Sequence, residues 1–143
     1  MNAAWVRRGA AALAAARTAL GVVALASPQL VGRPWVGDAA EGTPGRVLAR
    51  ALGGRDLALG LGALAALQQF PLDRQARHSG SAAALWVGMG ALADSADLLA
   101  TVLAWRQLPP VGRWLVAASA GGAAVAGAAA AGALITGAGD RAA

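Results

Sequence analysis

The chain has no cysteine, which excludes both a disulfide framework and a thiolate metal site. Charge is scarce as well, at 13% of residues, against roughly a quarter in soluble globular domains. That is too little to coat a water-exposed surface. Lysine is missing altogether. All twelve basic residues are arginines, strewn singly or in pairs between apolar stretches. A nucleic-acid binder gathers its basic residues on one face, so the formal charge of +5 does not point to nucleic acid. The one histidine, His78, stands beside Arg74 and Arg77 and reads as an ordinary loop residue. No His-Glu or His-rich arrangement accompanies it to make a zinc site. Ser79, Ser81, Ser95 and Ser119 lack a nucleophile elbow, and no glycine-rich loop follows a strand. Nothing in the chain calls for a metal or a cofactor.

Apolar residues make up 57% of the sequence, dominated by alanine, and glycine adds 20 residues. The segment from Trp114 to Gly139 runs 26 residues without a charged side chain, and about 20 residues of helix cross a hydrocarbon core. Pro109 and Pro110 precede it, where a missing amide donor costs a helix nothing, and Gly137 and Gly139 can end it. Three further apolar segments lie upstream. The expected architecture is all-α, an antiparallel bundle of four transmembrane helices over about 8–30, 47–70, 80–105 and 111–137, forming a single domain. Trp5, Trp35, Trp105 and Trp114 fall near the ends of these segments, where an amphipathic ring prefers to sit, and Trp86 lies inside.

Between the segments, Val31 to Arg46 contains Pro34, Gly37, Asp38, Gly42, Pro44 and Gly45 and reads as an irregular surface loop. The connections near Pro71 to His78 and Arg106 to Arg113 are short. Arg7 and Arg8 followed by an apolar run and then Ala24, Leu25 and Ala26 imitate a signal peptide, but Arg17 breaks the run where a signal is most apolar, and a retained first helix is expected. With four spans both termini share a side. Five flanking arginines on that side against four on the other place the termini in the cytoplasm of a multi-pass protein of the cell membrane.

The apolar segments contain charges. Arg17 lies in the first, Arg50, Arg55 and Asp56 in the second, Asp94 and Asp97 in the third. Counted from the segment ends at helical rise, Arg17 sits roughly 14 Å deep and Asp56 and Asp94 roughly 21 Å, in one band. Gly90, Asp94, Asp97 and Thr101 form a stripe on one helix face, as do Arg17, Gly21, Ala24 and Pro28. Small residues beside the charges let helices approach closely enough for Arg and Asp to meet. A lone charge at mid-bilayer costs about 2.5 to 3.5 kcal/mol, so the groups are expected to pair. Arg17 and Arg55 against Asp56, Asp94 and Asp97 leave one surplus negative charge, which Arg50 could balance. In the last segment Gly122, Gly127, Gly132 and Gly137 spiral around the helix, and small residues on nearly every face suit close packing, internally or in a homodimer.

The stretch Arg50-Ala-Leu-Gly-Gly-Arg55-Asp56-Leu-Ala-Leu-Gly60, followed by Ala91-Leu-Ala-Asp94-Ser-Ala-Asp97-Leu-Leu-Ala100, resembles small four-helix membrane proteins of unknown function that are widespread in actinobacteria. The likeness covers Arg50 to Trp105. It implies the same fold and a membrane location, and it carries no activity.

Three functions compete at this point. The charges serve architecture in a protein that contacts lipid and, as homodimer or part of a larger membrane complex, other helices. Or Asp94 and Asp97, one turn apart, share a proton in a small solute or proton-coupled transporter. Or one Asp is the general acid of a membrane enzyme acting on a lipidic substrate. Complete pairing without a void favours the first, a hydrated cavity reaching Asp94 and Asp97 the second, and a closed apolar pocket with an unpaired carboxyl the third.

Overall fold

The computed structural model describes residues 3–69 and 77–139. They form five α-helices and one short 3-10 segment: α1 (Ala3–Ala26), α2 (Pro28–Val36), the 3-10 turn (Gly37–Ala40), α3 (Thr43–Gln69), α4 (Arg77–Leu103) and α5 (Pro110–Gly139). The long helices follow from runs of alanine and leucine, the best helix formers. Their ends follow from proline and glycine. Ser27, at φ −138°, stops α1, and Pro28 opens α2 at a first-turn position where its missing N–H is not needed. Gly37, at φ +64°, closes α2 by donating its N–H to the Arg33 carbonyl, a left-handed conformation that suits glycine. Pro110 begins α5.

The helices do not make the expected four-span bundle. Three are long and apolar enough to cross a membrane: Ala3–Ala26, Ser81–Leu103 and Pro110–Thr136. Helix α3 is long enough but not apolar enough, because Arg46, Arg50, Arg55 and Asp56 crowd its first half and Gln68 and Gln69 end it. The fifth helix is α2, in a stretch expected to be irregular. Pro34, one of the residues that marked that stretch as a loop, is carried inside this helix, and Pro28, expected within the first span, initiates it after α1 ends at Ala26. The connection expected over Pro71 to His78 lies outside the described residues except for the start of α4. Residues 1, 2 and 140–143 are outside them too, and the count that placed both termini on one side presumed four spans.

Helices α1 and α3 run antiparallel in close contact. A Cβ on Gly21 would stand 2.6 Å from the Leu57 amide nitrogen, one on Gly53 2.7 Å from the Ala24 Cβ, and one on Gly60 2.8 Å from the Ala14 carbonyl oxygen. Only glycine lets the two backbones touch there. Helix α5 lies antiparallel to α4, with Gly127 against Ala91 and Gly88 against Ala131. The buried cluster is made mostly of alanines, among them Ala14, Ala63 and Ala83, with Leu67, Val87 and Leu134. The larger apolar side chains point outward instead, including Leu61, Leu92, Leu103 and Val125. Small residues inside and large apolar residues outside is the arrangement of helices that face lipid, where apolar surface costs nothing to expose. The chain is thus a multi-pass membrane protein whose outer surface contacts lipid.

Candidate functional site: a buried arginine-aspartate network

Three helices contribute to one connected set of ion pairs. From α1, Arg17 donates through Nη1 to Asp56 Oδ1 at 3.0 Å. Its Nη2 donates to Asp94 Oδ2 and, at 3.1 Å, to the carbonyl of Gly90. From α3, Arg55 grips Asp97 with two parallel bonds, Nη1 to Oδ1 at 3.0 Å and Nη2 to Oδ2 at 2.7 Å. It also curls back to Asp56 Oδ1 from Nε at 3.2 Å and Nη2 at 3.1 Å. The result is a chain, Asp94 to Arg17 to Asp56 to Arg55 to Asp97, that ties α1 and α3 to α4.

Each member is placed by its helix. Arg55 and Asp56 are sequence neighbours about 100° apart on α3, so one points toward α4 while the other faces α1, and the long guanidinium side chain spans the difference. Asp94 and Asp97 lie nearly one turn apart on α4 and receive separate arginines. Gly90, one turn before Asp94, has no side chain to keep Arg17 away; a Cβ there would stand 3.3 Å from Arg17 Nε. Asp56 is 7% exposed and Asp94 9%. Burying these groups is expensive, and the charge-assisted, partly bidentate pairing is what makes it tolerable.

The structure brings together five of the six candidates. Arg50 stands apart: it is exposed and donates from Nε to the Leu25 carbonyl at 3.2 Å, holding the end of α1 rather than balancing the aspartates. One turn along α3 too far toward its N-terminus, it cannot reach the cluster, and the surplus negative charge stays. Among the described residues no group of three His, Cys, Asp or Glu is placed to hold a metal ion. The three carboxylates face arginines, not a common centre.

A further member was missed. Trp35 of α2 donates its indole N–H to Thr101 Oγ1 at 3.1 Å, and that hydroxyl donates to the Asp97 carbonyl at 2.7 Å. Thr101 is completely buried. Thr101 already belonged to the polar stripe of α4, but reading residues 31–46 as a loop made Trp35 an interfacial anchor and hid its role. No family model, curated protein or solved structure matches the chain.

Beside the network lies a cavity of about 740 Å³ walled by all five helices. Arg17, Arg55, Asp56, Asp94 and Asp97 form one part of its wall; the rest is Ala, Leu, Val, Gly and Pro, with Trp35, Trp86 and Ser119 as the remaining polar side chains. Pairing and void therefore coexist. The cavity reaches Asp94 and Asp97, and each of them is engaged by an arginine.

Proposed function

We propose that the protein is a multi-pass component of the cell membrane in which the Arg/Asp network fixes how the Ala/Gly-rich helices dock. The observation that carries this reading is that all five charged groups form one unbroken chain of ion pairs across α1, α3 and α4. Alanine and glycine seams supply contact but little that selects one register over another, and a chain of directional charge pairs supplies that selection. The transporter reading needs a relay of polar groups leading away from Asp94 and Asp97. Apart from the network, the described cavity wall holds only Trp35, Trp86 and Ser119 as polar members. The enzyme reading needs a carboxyl without a partner, and Asp56, Asp94 and Asp97 each have an arginine.

The finer assignments rest on the sequence pattern. Arg7 and Arg8, near the N-terminal end of the first candidate span Ala3–Ala26, support a cytoplasmic N-terminus. The many small residues on α5, with Val125 and Ile135 exposed on it, support a homodimer or a place in a larger membrane complex. Kinship with the actinobacterial membrane proteins rests on Arg55-Asp56 and Asp94-x-x-Asp97, the residues that form the ion pairs.

Thermal unfolding in lipid tests the structural role. Asp97→Leu takes the bidentate partner from Arg55 and leaves it only the Asp56 oxygen it shares with Arg17, at an expected cost of about 1.5–3 kcal/mol, whereas the double change Arg55→Met with Asp97→Leu removes both charges and recovers most of that loss. Single variants that unfold at the wild-type temperature would end this reading.

A further inference from the structure

We propose that the cavity is a binding site for a lipophilic organic monocation, such as an apolar amine, quaternary ammonium or phosphonium ion. Its volume of about 740 Å³ falls within the roughly 300–1,000 Å³ of small-molecule sites. Its charged wall is unbalanced. Arg17 and Arg55 are both committed to carboxylates, and three aspartates against two arginines leave one negative charge where charge is costly. Arg50, the cation that could have cancelled it, is bonded elsewhere and exposed.

The vacant valences have the same sign. Asp94 accepts Arg17 on Oδ2 alone, and Asp56 takes all three of its bonds on Oδ1. Among the described residues no hydrogen bond reaches the second oxygen of either, and the side chains are 9% exposed for Asp56 and 13% for Asp94. An anionic headgroup would meet guanidiniums already engaged and carboxylates that repel it. A monocation restores neutrality. Two indoles, Trp35 and Trp86, also line the space, and indole is the side chain that attracts cations most strongly.

The walls match the ligand's character. Leu20 of α1 and Leu115 of α5 line the cavity, are exposed, and belong to helices apolar enough to cross a membrane. Apolar walls carried by such helices suit a lipophilic ion that partitions into lipid. This proposal does not depend on the architectural role of the network, which holds whether or not the cavity is filled.

The test uses the full chain in zwitterionic lipid nanodiscs, equilibrium dialysis against labelled tetraphenylphosphonium, and subtraction of empty nanodiscs. Saturable uptake with one site per chain is expected, and labelled tetraphenylborate, the same shape with opposite charge, dialysed in a separate run, should show none. Ala123→Phe fills the cavity from the α5 wall, at a residue that makes none of the ion pairs, and should weaken binding by about tenfold or more at unchanged unfolding temperature. Asp94→Asn removes the surplus charge and should weaken it similarly; if that variant fails to fold, Ala123→Phe decides. Uptake no greater than in empty nanodiscs, equal binding by Ala123→Phe, or saturable uptake of tetraphenylborate in its own run would overturn the proposal.

Discussion

At the scale of single residues, Asp56 holds the centre of the network because one of its oxygens serves both arginines. Replacing it leaves Arg17 and Arg55 facing each other with one carboxylate apiece. Asp97 binds one arginine at the end of the chain, and its side chain is 19% exposed against 9% for Asp56. Asp56→Ala should therefore lower the unfolding temperature more than Asp97→Ala, a ranking that calorimetry in lipid can read directly. Trp35 offers a milder case. Trp35→Phe keeps the ring and removes the donor to Thr101, with an expected cost of about 1 kcal/mol and no change in the Arg/Asp pairs. Trp35→Phe indistinguishable from wild type would mean that the indole merely fills space.

At the scale of elements, the α1–α3 seam depends on glycines in a way that position alone does not reveal. Gly53 and Gly54 are neighbours on α3, but only Gly53 faces α1; a Cβ on Gly54 would meet nothing within 4 Å. Gly53→Ala must push the backbones apart and is expected to cost about 1–3 kcal/mol, a typical overpacking penalty. Gly54→Ala should be neutral or stabilising by up to about 1 kcal/mol, from helix propensity. Opposite signs for adjacent, chemically identical changes would establish the seam; equal effects would remove it. The short helix α2 belongs to the same scale. Its exposed side carries Arg33, paired at 3.2 Å with Glu41, a contact of small energetic worth. Its inner side, through Trp35, docks onto α4.

At the scale of the whole molecule, the chain's lack of cysteine makes a labelling map simple. A membrane-impermeant maleimide should react readily with Asp38→Cys in the 3-10 turn, which is exposed beside Arg33 and Glu41. It should fail to react with Val125→Cys, which is exposed in α5 but in a segment long and apolar enough to cross the membrane. Equal labelling of both in intact vesicles and after detergent would contradict a lipid-facing α5. The same map along α3, from Leu48→Cys to Leu61→Cys, reports where the charged helix meets water.

Much of this could be read from the sequence alone, and the reasons are local. Alanine and leucine runs make helices, proline and glycine end them, and an uncharged run as long as Trp114–Gly139 needs an apolar surround. The stripe Gly90, Asp94, Asp97 and Thr101 followed from helical periodicity, and pairing with Arg17 and Arg55 followed from the cost of lone buried charge. What depended on tertiary structure was geometric. Helix α3 was counted as a span although Arg50, Arg55 and Asp56 were in view, because its second half is apolar and the charges were expected to pair within the bundle; the helix as a whole is not among those apolar enough to cross. Helix α2 was invisible because proline and glycine density signals a loop, while Trp35 reaching Thr101 helps hold it as a docked helix. Arg50 was grouped with the network by type and spacing, but a side chain one turn away reaches a different neighbour. The cavity and its uncompensated charge exist only between helices, and a space between elements has no pattern in any one of them.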